Sequence, residues 1–253
     1  MGPSRRTTHQ GRTPIRGWKA RIGAGGVLRT MGRRFGLNYP STLSPVGVQL
    51  EYELMTFQSE MSGPLRARLT ALCVEGWALW DQFDEDVRQH QFHPFVAAEY
   101  DLVVDALMRR RGANLRFLEW GAATGVITII ADLLGFEAYG IELDRDLVAT
   151  ARELAKRFDS RAKFVAGSFL PAGYEWRPSD GDRRTGTLGT GVSGYRELGH
   201  SLDEFDVVFG YPWDGERELM LDVMRRYGRD DATLLLNHVN TGVVAHRRGR
   251  VVA

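Results

Sequence analysis

The sequence predicts an α/β protein built on a doubly wound, mostly parallel sheet, and three observations carry that expectation. Short apolar runs suited to buried strands alternate with amphipathic stretches of helical period, at βαβ spacing, over the second half of the chain. A turn of small residues follows the first of those runs, and a carboxylate ends the second. The 253 residues, 43% of them hydrophobic, can form one such domain with an appendage.

The first strand is Arg116-Phe117-Leu118, and the turn behind it reads Glu119-Trp120-Gly121-Ala122-Ala123-Thr124-Gly125. Gly121, Ala123 and Gly125 lack bulk, so backbone can approach a ligand and amides at the helix start can face its polar groups. The apolar run Val126 to Leu134 predicts a buried helix that Gly135 stops. Seventeen residues after Gly125, the strand Ala138 to Glu142 ends in an acid placed to accept hydrogen bonds from two ribose hydroxyls. Glu119 suits a cationic ligand and would repel a pyrophosphate. A dinucleotide fingerprint would also need glycines where the chain has Ala123 and Val126.

On these residues, together with Lys163 to Phe169 and Phe205 to Trp213, the stretch 115 to 239 resembles the core of class I S-adenosylmethionine-dependent methyltransferases. The resemblance implies a Rossmann-like sheet and S-adenosylmethionine held by Glu119, Gly121, Ala123, Gly125 and Glu142. It further implies Ser168 and Phe169 on the adenine side, and Tyr211 and Trp213 beside the sulfonium and the methyl acceptor. Three departures accompany it. Ala123 stands for the family's middle glycine, and Ser168 for an aspartate that many members use on the adenine amino group. Gly210-Tyr211-Pro212-Trp213 replaces the Asn/Asp-Pro-Pro-Tyr of many nitrogen methylators, so that acceptor chemistry is not implied. The acceptor itself is open between a small molecule, nucleic acid and protein. A non-catalytic S-adenosylmethionine-binding module is the alternative, and a nucleotide-dependent oxidoreductase is disfavoured. Neither Asp206, within the fourth strand, nor His238, closing the fifth, reads as a general base.

Ahead of the sheet, Leu65, Leu69, Leu72, Gly76, Leu79, Phe83 and Val87 advance by threes and fours, predicting an amphipathic helix from Pro64 to about Arg88 that covers part of the cofactor or substrate mouth. A second helix is expected to open at Pro94, with Val96, Tyr100, Val103 and Leu107 on one face, packed against the sheet. Trp77 and Trp80 read as helix packing. After the second strand, Asp144 caps a helix through Leu147, Ala151, Leu154 and Phe158. After the fourth, Asp214 is expected to cap a helix bearing Leu219, Met220, Val223, Met224 and Tyr227. Residues beyond the fifth strand, Ala232 to His238, allow a minimal hairpin around Arg248-Gly249 or a sheet of five strands.

The domain boundaries expected are a flexible basic arm at 1–45, a helical extension at 46–112 and the binding domain at 113–253. Nine Lys and Arg and no acid in the first fifty residues characterise the arm, which would attract nucleic acid or be a plain tail. A flexible loop at 173–200 holds seven glycines, reading equally as a lid and as a surface insertion. The net charge of +1 demands no polyanionic partner. The lone Cys73 excludes an internal disulfide, His90 and His93 find no further ligands to complete a metal site, and no run reaches membrane-spanning length. Cytoplasm is the expected compartment, without membrane or metal partners.

Overall fold

The computed structural model describes residues 61–176, 191–213, 215–239 and 241–252. The basic arm, the start of the helical extension, residues 177–190 of the glycine-rich loop and Asp214 lie outside the described residues. A long helix α1 (Gly63–Phe83), continued by one π-helical turn (Asp84–Arg88), precedes α2 (Tyr100–Met108). Then follow β1 (Arg116–Trp120), α3 (Val126–Leu133), β2 (Glu137–Glu142), α4 (Arg145–Arg157) and β3 (Lys163–Ala166). A single helical turn α5 (Tyr195–Leu198) leads to β4 (Val207–Gly210), α6 (Glu216–Tyr227), β5 (Thr233–His238), β6 (Gly242–Arg247) and β7 (Arg250–Val252).

The seven strands form one sheet in the order β3-β2-β1-β4-β5-β6-β7, parallel from β3 to β5 and antiparallel beyond. This is a Rossmann-like, doubly wound arrangement. From β1 the chain winds outward through β2 and β3, then returns to lay β4 on the other side of β1. The reversal leaves a crevice at the carboxyl ends of β1 and β4, where ligands bind in open α/β sheets. The closing hairpin resolves the two expectations for the C-terminus in favour of seven strands. Its two-residue turn places Arg248 at φ 51° and Gly249 at φ 75°, the positive pair that matches strand twist.

Strand side chains alternate between the two faces, and the core divides accordingly. Phe117, Phe209 and Leu235 join α1 to α4 on one face, whereas Leu118, Trp120, Val208 and Leu234 meet α5 and α6 on the other. Glu119 therefore shares the face of Phe117 and lies in register with Phe209. Asp144 accepts from Asp146 N at 2.8 Å and Leu147 N at 3.3 Å, and Asp146 and Lys156-Arg157 complement the dipole of α4.

Three expectations are corrected. Residues 92–99 are extended rather than the start of a helix, and α2 begins only at Tyr100 behind Glu99. Proline restrains His93 from helical geometry, and the Pro94 carbonyl accepts from Trp213 Nε1 at 2.9 Å instead of serving a helical turn. The segment thereby becomes a wall of the crevice, a task expected of α1, whose residues line it nowhere. The N-cap of α6 is Gly215, at φ 86°. Asp206 stands just before β4, at the edge away from the crevice, where it accepts from Arg116 N at 2.7 Å.

Helices and strands approach most closely where glycine permits it. A Cβ at Gly140 would stand 2.7 Å from the Ala122 Cβ and 2.8 Å from Phe164 Cδ1, both inside the core. We expect Gly140→Ala to destabilise the protein by about 1–3 kcal/mol through overpacking. Urea denaturation of the variant measures this, and an unchanged midpoint would mean that the β1 turn yields freely.

Candidate functional site

The crevice holds a cavity of about 310 Å³, in the lower part of the range typical of small-molecule sites. Its lining joins the β1 turn, the ends of β2 and β4, Gly167 and Phe169, the loop Tyr211 to Trp213, and His93 to Ala98 of the extended segment.

Glu119 is the most constrained of these residues. It is only 4% exposed, and its Oε2 accepts from Thr128 N at 2.9 Å and Thr128 Oγ1 at 2.5 Å. Burial pushes its carboxyl up to about 8, the two Thr128 bonds oppose that rise, and the negative charge of Glu142 adds to it. An acid held this way is mostly neutral at pH 7 until a cation arrives beside it.

Glu142 reaches from the end of β2 to the β1 turn. Its Oε2 accepts from Ala123 N at 2.8 Å and its Oε1 from Asp144 N at 2.9 Å. Burial raises its pKa, and the two amides work against that rise. Each oxygen keeps a further lone pair for a ligand hydroxyl. The turn between the two acids is left-handed at Gly121 (φ 76°), Ala123 (φ 46°) and Gly125 (φ 81°). A Cβ at Gly121 would meet nothing within 4 Å, because that position faces open space, whereas one at Gly125 would strike Ala151 and Phe164 at 2.7 Å.

Aromatic planes complete the cavity. Phe169 stacks on Trp120 with centroids 5.0 Å apart and planes 17° apart, and Trp120 Nε1 donates to the Tyr195 hydroxyl at 2.9 Å. Tyr211 is half-buried; burial and the charge of Glu99 raise its pKa, against a hydrogen bond with Asn237. Trp213 is tethered three ways, through its Nε1 to Pro94 O, its amide to Glu216 Oε2 at 3.0 Å, and an edge contact with Phe92 at 5.9 Å. On the other side His93 Nδ1 accepts from Phe95 N at 3.1 Å, leaving Nε2 to face Asp144 Oδ2 at 3.5 Å. Burial works against the Asp144 carboxylate, yet His93 and the amides of Asp146 and Leu147 hold it below its ordinary range.

The sequence-derived candidates Glu119, Gly121, Ala123, Glu142, Phe169, Tyr211 and Trp213 all line this cavity. Gly125 stands behind it as the N-cap of α3. Ser168 does not line it: the residue is buried, and its Oγ accepts from Leu170 N at 3.1 Å. His238 is likewise absent from the lining. No cluster of potential metal ligands occurs among the described residues. The sequence reading missed Thr128, Glu216 and the stretch His93 to Ala98. For Thr128 a signal existed, since it is the one polar residue in the run Val126 to Ala131.

No known family pattern matches the chain, and no curated protein matches it either. Solved structures similar to it include several methyltransferases. A precorrin-6y C5,15-methyltransferase of Geobacter metallireducens is 19% identical, covering 59% of this chain and 67% of its own, with a TM-score of 0.41. An RNA methyltransferase of Salinibacter ruber in complex with S-adenosyl-L-homocysteine is 19% identical over 56% of this chain and 76% of its own, at 0.40. A SAM-dependent methyltransferase of Agrobacterium tumefaciens is 15% identical over 56% and 44%, at 0.36.

The raised pKa of Glu119 has a sign that can be measured. A carboxyl with a folded pKa of about 8 and an unfolded value near 4.5 keeps its full stability below the lower figure and loses it as pH rises toward the higher. Glu119→Gln cannot ionise. We expect its stability to match the parent near pH 4.5 and to exceed it by on the order of 1–3 kcal/mol by pH 8.5. Thermal melts across that window test this, and parallel curves for the two proteins would show that Glu119 is ionised in the ligand-free cavity.

Proposed function

We propose that the chain binds S-adenosylmethionine in this cavity and transfers its methyl group to an acceptor placed near Tyr211 and Trp213. The observation that carries the reading is the pair of glutamates flanking a left-handed small-residue turn, in a cavity with no Lys or Arg among its described lining residues. Such a wall favours a ligand with positive charge and hydroxyl donors, and disfavours a pyrophosphate.

The chemistry of the donor set fits this ligand. Glu119 matches an ammonium, whose approach lowers its pKa and leaves a charge-assisted pair. Glu142 offers its remaining lone pairs to a ribose diol, and the Phe169 plane, backed by Trp120, offers a face to a purine. Gly121 leaves room where any side chain would enter the cavity. When bound, the sulfonium supplies an already activated methyl group, so little covalent work falls to the protein.

The chain's own residues then position and shield. Tyr211 and Trp213 present aromatic rings that suit a cation, and the three tethers on Trp213 hold that ring over the mouth. The apolar stretch Phe95 to Ala98 excludes water from the same space. A cytoplasmic setting belongs to this proposal, and among the described residues no helix is long and apolar enough to cross a membrane.

Calorimetric titration with S-adenosylhomocysteine and with NAD tests the reading. S-adenosylhomocysteine is expected to bind and NAD to give no heat, while Glu142→Ala should cost about 1–3 kcal/mol of affinity through lost charged hydrogen bonds. Binding of NAD in preference to the adenosyl ligand would replace the proposal with a redox one.

A further inference from the structure

The cavity wall also carries information about the acceptor, on the premise that the site is a methyltransferase site. Its ionisable described side chains are three glutamates, Glu119, Glu142 and Glu216, with the tyrosines Tyr100 and Tyr211 and the single histidine His93. Two of the glutamates are accounted for by the cofactor. Glu216 is 2% exposed and lies where α6 meets the Tyr211 to Trp213 loop, so the acceptor side of the cavity also has a carboxylate and no fixed positive charge.

The approach to the cavity is apolar as well. Phe92 is 55% exposed and packs edge-on against Trp213, and Val239, in the lining, is 83% exposed. Exposed hydrophobics of this size clustered at one mouth mark a surface that meets an apolar molecule. The nearby cation is committed elsewhere: Arg217 pairs with Glu218 and approaches His246 Nε2 at 3.5 Å. Nucleic acid relies on Lys and Arg contacts to its phosphates, and the described rim offers none.

We infer that the methyl acceptor is a small, largely apolar molecule, neutral or cationic, that enters past Phe92, Trp213 and Val239. Anionic acceptors are repelled by the same carboxylates that attract the cofactor, and bulky ones exceed a cavity of about 310 Å³.

Three probes that share one ring separate charge from shape: indole, tryptamine and indole-3-acetate, titrated by saturation-transfer NMR against the full chain saturated with S-adenosylhomocysteine. Indole and tryptamine are expected to bind at least about tenfold tighter than indole-3-acetate, and a short single-stranded RNA should not displace them. Trp213→Ala should weaken both binders. Val239→Arg, at an exposed position, should narrow the tryptamine preference by roughly threefold. Equal or tighter binding of indole-3-acetate, displacement by the RNA, or no binding of any indole would overturn the inference. If S-adenosylhomocysteine itself fails to bind, the methyltransferase reading falls separately, and the charge order of the three indoles on the free protein still decides what the cavity accepts.

Discussion

A carboxyl group buried at the carboxyl end of the central strand is the constraint around which the remaining structure is arranged. Glu119 follows Phe117 on the same face of β1, so alternation forces it beneath α3, where two bonds from Thr128 are its only printed support. Burying a carboxylate without a countercharge costs several kcal/mol, and the protein meets that cost by keeping the group mostly protonated. A stable fold gains nothing from such a group. Its presence at a topological switch point, facing a cavity, makes sense as a site prepared for a cation.

The surrounding parts enforce this geometry from separate stretches of chain. Glu142 ties the end of β2 to the β1 turn through Ala123 N, so the second acid also fixes the backbone around the first. Ala123 adopts a left-handed conformation that costs an L-residue about 1–2 kcal/mol, offset by that charged hydrogen bond. The outer wall depends on pairings between residues 50 to 120 positions apart, Trp213 with Pro94 and His93 with Asp144. Those bonds make the extended segment ahead of α2 part of the site rather than a linker.

How much of this was legible follows from which interactions are local. The strand, turn and helix from Arg116 to Leu133 declare themselves because apolar period and small residues coincide there. The capped helix α4 and the apolar faces of α1 and α6 are equally local, each readable from spacing alone. Residues 92–99 were not legible, since Pro94 has two common meanings, helix start and helix exclusion, and only the distant Trp213 selects the second. Ser168 shows the same limit: its place in the sequence matches an adenine-side residue, while its hydroxyl is taken by Leu170 two residues away. The hairpin β6–β7 needed only Arg248-Gly249, but so short a pair acquires stability only from β5 beside it.

The central claim, that Glu119 waits as a neutral acid for a cation, is tested most directly by counting protons released on binding. S-adenosylhomocysteine would be titrated at pH 7 in two buffers of different ionisation enthalpy, for the parent protein and for Glu119→Gln. With a pKa of about 8 in the free protein, lowered by a bound ammonium, the parent should release close to one proton more than the variant, and the difference should vanish by about pH 9.5. Equal proton release by the two proteins at pH 7 would contradict the account and place the ligand's positive charge away from Glu119.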